Sequence, residues 1–203
     1  VKNSTKVNAE EVTQIQNYIE KIYLWKEVIG EALPTFNDIN QANDKWIWEV
    51  VKNNLYDYDI SLEEADQKVK ELFGKECNKQ MPKDGNDSFW YNEETEKYEA
   101  TGVELDNKQD TFLINNIVKT KQGYQVEIIE YLVDHTNENS VTIENTNEES
   151  IGTVENSISD TKIQEIVKEN KNRFIKKKIT LKVENESSNS NDNSLVVEKV
   201  EKN

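Results

Sequence analysis

The sequence predicts an α+β fold, with an N-terminal helical layer and a C-terminal, mainly antiparallel sheet carrying one inserted helix. Three observations carry this reading. Apolar residues recur at helical spacing as far as Gly74. Beyond Pro82 the pattern changes to runs of branched and aromatic residues that suit strands. One helix-period stretch near residue 165 then interrupts those strands before they resume.

The first element is VNAEEVTQIQNYIEKIYLWKEVIG, where Val12, Ile15, Ile19, Ile22, Trp25 and Ile29 form one stripe of a surface helix. Gly30 and Pro34 interrupt it, and a second succession follows through Ile39, Ala42, Trp46, Val50 and Leu55. Trp46 and Trp48 stand two apart, so a helix sends them to different sides, and Trp46 belongs to the packing stripe. The third helix carries the clearest signal. Ser61 and Glu64 have capping-box spacing, Leu62, Ala65, Val69, Leu72 and Phe73 form its apolar face, and Gly74 ends it.

The segments YEATGVEL, DTFLINNIVKT and GYQVEIIEYLV then read as strands, with KTKQG as a compact connection. In that hairpin Phe112, Ile114, Tyr124, Val126 and Ile128 share one face. At Ile128 and Ile129 the apolar alternation moves toward Tyr131 and Val133, which predicts a bulge or a change of face. VTIEN and IGTVE add short strands around the hydrated turn NTNEES. Thr161 and Gln164 are placed to cap the inserted helix, which carries Ile163, Ile166, Val167 and Phe174 on one side, with Lys176 to Lys178 complementing its C-terminal end. Ile179, Leu181 and Val183 return to the sheet, and LVVEKV closes it after the polar turn ENESSNSNDNS. Residues 1–203 read as a single α+β domain; the alternative is a helical module over 9–77 and a sheet-rich module over 88–203.

Charge narrows the classes of function. With 40 Asp plus Glu against 25 Lys plus Arg, the net charge of −15 opposes a general nucleic-acid scaffold, because the phosphate backbone would be repelled. Cys77 is the only cysteine, so an intramolecular disulfide and a cysteine-based metal cluster are excluded. The polar opening VKNSTKVNAEE starts at Val1 without a methionine and reads either as the tether of a processed chain or as an artificially trimmed start.

The chain carries no G-x-S-x-G elbow, Walker A loop, Rossmann glycine fingerprint or H-E-x-x-H helix, so the short motifs for acyl transfer, nucleotide binding and zinc hydrolysis are missing. His135 beside Asp134 lacks a surrounding constellation, and Cys77 lacks an orienting group for nucleophilic work with His135. Asp57, Asp59, Glu63 and Glu64 gather carboxylates without EF-hand spacing, and Glu63 and Glu64 more simply favour a helix start. Glu127 and Glu130 are the candidate acid/base pair for a glycosidase, with solvated strand charges as the simpler reading. No catalytic residue, cofactor or metal ligand is assigned.

The stretch SFWYNEETEKYEATG is the most conspicuous feature. Phe89, Trp90 and Tyr91 can stack on a sugar or clamp a peptide, or else anchor the sheet entrance. Trp90 and Tyr91 are the ligand-binding candidates, with Phe89 read as structural. Lys176 to Lys178 offer a lesser contact for an acidic polymer.

Through ELFGKE, YNEETEKYEATG, IVKTKQGYQVEIIEYLVD and NKNRFIKKKITLKV, the region from Ser61 to Val183 resembles exported or surface-anchored, lipoprotein-like proteins of low-GC Gram-positive bacteria, as a class rather than any one family. The resemblance implies location, at the cell surface or secreted, with any membrane association through an N-terminal anchor; Cys77 lies too far into the chain to bear a lipid there. The expected function is a non-catalytic extracytoplasmic binding or protein-interaction module, with a cell-surface protein or an envelope glycan as partner. The alternatives are a hydrolase using acidic residues and a calcium-stabilised structural protein.

Overall fold

The computed structural model describes residues 6–56, 59–84, 89–102, 106–157, 160–185 and 193–203. Its architecture is α+β, with N-terminal helices on a C-terminal antiparallel sheet.

Helix α1 (Ala9–Ile22) starts at a reciprocal cap: the Glu11 amide donates to Asn8 Oδ1 at 2.8 Å, and the Asn8 amide donates to Glu11 Oε2 at 2.9 Å. The helical stripe predicted to run through Trp25 to Ile29 instead breaks after Ile22. Tyr23 turns extended, and only the short α2 (Lys26–Ile29) follows. The reason is tertiary. The Tyr23 ring leaves the helix to meet Phe112, with centroids 5.0 Å apart, and its hydroxyl reaches the sheet. Val12, the first residue of the stripe, is exposed.

A 3-10 turn at Ile39–Gln41 leads to α3 (Asp44–Asn53), capped by the Asn43 side chain. Trp46 is fully buried, and its indole donates to the Ile22 carbonyl at 3.0 Å, satisfying an acceptor at the end of α1. Helix α4 (Leu62–Phe73) carries the predicted Ser61–Glu64 capping box and ends at Gly74. Gly74 has φ +97, a conformation that demands glycine, and a Cβ there would also press on the Glu184 carboxylate at 2.9 Å.

Strands β1 (Phe89–Asn92) and β2 (Lys97–Ala100) form a separate hairpin. The main sheet contains β3 (Lys108–Lys119), β4 (Gly123–Asp134), β5 (Ser140–Glu144), β6 (Ser150–Glu155), β7 (Ile175–Asn185) and β8 (Asn193–Lys202), all antiparallel to their neighbours. β4 is the hub, with β3 along one edge and both β7 and β5 along the other. Gly123 opens β4 against β7 so closely that a Cβ would run into the Leu181 carbonyl.

The predicted hairpin face is present: Phe112, Tyr124, Val126 and Ile128 join the main core with Ile15, Ile19, Trp46, Phe73 and Ile179, and Ile114 packs against its margin. Of the two causes expected for the shift of alternation along β4, a bulge or a change of face, the change of face is the one found. The bulge lies on the partner strand, between Ile114 and Asn116. β4 itself keeps its phase, and its upper half is covered on both faces. Tyr124, Val126 and Ile128 face the N-terminal helices, while Ile129, Tyr131 and Val133 face a second core containing Val141, Ile143, Ile163 and Val167.

That second core is closed by α5 (Asp160–Glu169). Thr161 lies inside this helix and is exposed, so it is not the cap; the preceding position falls outside the described residues. Lys176 to Lys178 do not lie at a helix end either. The chain passes through a 3-10 turn at Lys171–Arg173 and enters β7 at Ile175, because Phe174 and the alternating Ile175, Ile179 and Leu181 favour a two-faced strand. Most of ENESSNSNDNS lies outside the described residues.

Candidate functional site: a polar cleft beside a buried ion pair

Strand periodicity on β7 places Lys177 with Ile179 and Leu181 on the face that meets the N-terminal helices. On β4 the same rule places Glu130 with Val126 and Ile128. The register sets Glu130 opposite Ile175 and Ile128 opposite Lys177, so acid and base are diagonal neighbours across one strand pair. Their charged ends meet at 3.1 Å, with each side chain 5% exposed.

Lys177 Nζ also donates to Glu130 Oε1 at 3.2 Å and to the Leu33 carbonyl at 2.5 Å. The Tyr23 hydroxyl lies 3.1 Å from Glu130 Oε1 and 3.2 Å from the Thr111 carbonyl, so its one proton is shared between two acceptors. Burial, reinforced by the neighbouring Glu130 charge, holds the Tyr23 phenol well above its usual range and keeps it a donor. Burial also raises the Glu130 carboxyl, outweighing the opposing pull of Lys177 and Tyr23.

These groups border a cleft of about 200 Å³ between the helical layer and the sheet. Lys26, at the start of α2, donates its amide to Asp110 Oδ2 at 2.7 Å and its Nζ to the Thr146 carbonyl at 3.4 Å. Asp110 receives backbone donors, and burial raises its carboxyl. Thr146, in the β5–β6 turn, has a buried Oγ1 without a hydrogen-bond partner. The turn itself is held by Asn145, whose Oδ1 accepts from the Asn147 and Glu149 amides at 3.0 Å each. Glu31 and Lys202 complete the charged lining and are exposed.

A larger groove of about 370 Å³ lies at the other end of the sheet, beside Asn40, Phe73 and Glu198. Two of its polar lining residues are engaged in holding the fold. Glu184 accepts the Lys75 amide at 3.3 Å, and Asn40 accepts the Asn78 amide at 2.6 Å. At the β8 bulge beside this groove, the freed Val197 amide donates to the Tyr18 hydroxyl at 2.8 Å, which donates onward to the Leu72 carbonyl at 2.8 Å.

The aromatic run divides by strand alternation. Phe89 is 2% exposed and stacks on Tyr98 at 4.9 Å. Tyr91 meets Tyr98 edge-on at 5.2 Å, beneath the Lys83 ammonium. Trp90 alternates to the opposite side of β1 and is half-buried.

Glu127 and Glu130 do not come together: they lie on opposite faces of β4, with Glu127 bonded to the Asn115 and Asn203 side chains. His135 is exposed at the end of β4, and Cys77 is buried in the main core with its thiol pushed up by burial. Asp59 pairs with Lys97 at 3.0 Å, Glu63 and Glu64 open α4, and Asp57 lies outside the described residues. Among the described residues no three His, Cys, Asp or Glu side chains are grouped to hold a metal ion. No described helix is long and apolar enough to cross a membrane.

The sequence names Glu130 and the Lys176 to Lys178 run separately, but their pairing and the other cleft residues go unread for an identifiable reason. The pair's signal is a charge at an inward position of each of two strands, Lys177 in IKKKITL and Glu130 in VEIIEYLV, of opposite sign. That signal needs the strand phase of IKKKITL, which the helical reading of the lysines hid. Compared with known proteins, the chain matches no family model, no curated protein and no solved structure.

Proposed function

We propose that this protein is a non-catalytic extracytoplasmic binding module whose principal ligand site is the cleft beside Tyr23, Glu130 and Lys177. The observation that carries the reading is the convergence, on one concavity, of two lysines and two carboxylic side chains around the buried, mutually neutralised Lys177–Glu130 pair. Such a pair holds the floor rigid, while the rim charges of Lys26, Glu31 and Lys202 orient what enters. The extracytoplasmic part rests on the resemblance to surface proteins, and the partner class is an envelope glycan or a cell-surface protein. Trp90 offers a second, peripheral contact on the outward side of its hairpin, with Tyr91 at its margin.

The test is binding of envelope glycans and cell-surface proteins to the wild type, to Lys26→Ala/Lys202→Ala and to Trp90→Ala/Tyr91→Ala, each checked for folding. Weakening by the lysine pair supports the cleft. Weakening by the aromatic pair alone moves the site to the hairpin, and unchanged affinity in both removes both sites. Fractionation of cells carrying the full-length gene decides location, and exclusively cytoplasmic protein rejects export.

One observation favours the hydrolase reading as runner-up. Asp110 borders the same cleft with a carboxyl raised by burial, as a general acid requires. Conversion of a bound glycan or peptide, abolished by Asp110→Asn, would replace the binding-module reading.

A further inference from the structure

Resting on the cleft as the ligand site, we propose that it takes a small zwitterion, a ligand carrying one carboxylate and one ammonium group, such as the ends of a short peptide. The lining is electrically balanced: Lys26, Lys177 and Lys202 stand against Glu31, Asp110 and Glu130. The balance is not spent evenly. Lys177 gives its donors to Glu130 and Leu33, so this pair forms a neutral floor. The charges left for a ligand are on the rim.

On the cationic side, Lys26 Nζ makes one long bond to the Thr146 carbonyl, and Lys202 makes no hydrogen bond or ion pair among the described residues. Beside them, Thr146 Oγ1 is buried with its proton unplaced. A ligand carboxylate would accept from the two lysines in charge-assisted hydrogen bonds. On the anionic side, Asp110 is held by backbone donors, and Glu31 makes no hydrogen bond or ion pair among the described residues. Both suit an ammonium group. A purely anionic ligand would leave these carboxylates facing it. A purely cationic one would leave Lys26 and Lys202 uncompensated. The cleft's volume, about 200 Å³, suits a ligand group of dipeptide size.

The experiment is a titration of the full chain, followed by amide NMR shifts at Gly30, Glu31, Thr146 and Asn147, with four probes. Glycylglycine carries both charges, N-acetylglycine only the carboxylate, glycinamide only the ammonium, and N-acetylglucosamine neither. The expected result is saturable shifting of these amides by glycylglycine, with each singly charged probe weaker by about tenfold or more, since each lacks one charge-assisted contact. Lys202→Met should weaken glycylglycine and leave glycinamide unchanged, and Glu31→Gln should weaken glycylglycine and leave N-acetylglycine unchanged. These rim substitutions are exposed and leave the core intact. Equal affinity for a singly charged probe, or shifting of the same amides by N-acetylglucosamine alone, overturns the zwitterion and leaves the cleft standing as the site. Silence of these amides to all four probes overturns both.

Discussion

The FWYN hairpin and the Glu130–Lys177 cleft put aromatic and ionic chemistry to opposite uses. In the hairpin, adjacent rings that look like a binding surface are divided by strand alternation, and two of them close on Tyr98. In the cleft, two charges 47 residues apart are brought together by register. Conspicuous neighbours in sequence are thus parted, and distant residues on matching strand phases converge. Alternation favours a site built from one inward position on each of several strands over a site built from consecutive residues.

The largest effect should come from unpairing the floor. Lys177→Met leaves Glu130 buried without its counter-charge and should cost about 3–5 kcal/mol in urea unfolding. Replacing both partners, as Glu130→Leu/Lys177→Met, should recover much of that loss, because two apolar side chains leave no buried charge. A double variant as unstable as the single one would mean that the site depends on the shape of the pair rather than its charge.

In the hairpin the corresponding contrast lies between adjacent residues. Phe89→Ala removes a buried ring and should cost about 3 kcal/mol, while Trp90→Ala should cost about 1 kcal/mol or less. Similar losses at both positions would contradict the division by alternation.

Acidity separates the regions more gently. Glu130 and Asp110 have raised carboxyls, so between the ordinary carboxylate range and those raised values the native state binds more protons than the unfolded one. Their contribution is full at low pH and is lost as pH rises through that window. Glu11 behaves oppositely. Lys119, the Asn8 amide and the Tyr124 hydroxyl hold it at about 2, so its contribution is present above about pH 4 and is lost as pH falls toward 2. Denaturation across pH should show a shallower acid limb for Glu11→Gln and a smaller decline above pH 4 for Glu130→Gln. The hairpin variants should leave both slopes unchanged.

How much of this was legible follows from what each element depends on. Helix α4 depends on local chemistry, Ser61, Glu64 and Gly74, and the sequence states all of it. The β3–β4 face was equally plain, because period-two burial is written into Tyr124, Val126 and Ile128. The early end of α1 was not, since Tyr23 departs for partners 88 and 107 residues away. The three lysines failed for a related reason. IKKKITL suits a charged helix end until Phe174 is seen in the second core and Ile175 at the cleft. The shift at Ile128 reads equally as a bulge or a change of face, because an alternation that ends under two-sided cover resembles one that slips.

The most direct test of the central claim, that the cleft rather than the aromatic run is the principal place where this molecule meets its ligand, is an amide and indole NMR screen against mixed small fragments of neutral, cationic, anionic and zwitterionic character. The account predicts the largest shifts at Gly30, Glu31, Thr146 and Asn147, with the Trp90 indole moved less. Shifts confined to Trp90 and Tyr91, with the cleft amides silent, would contradict it.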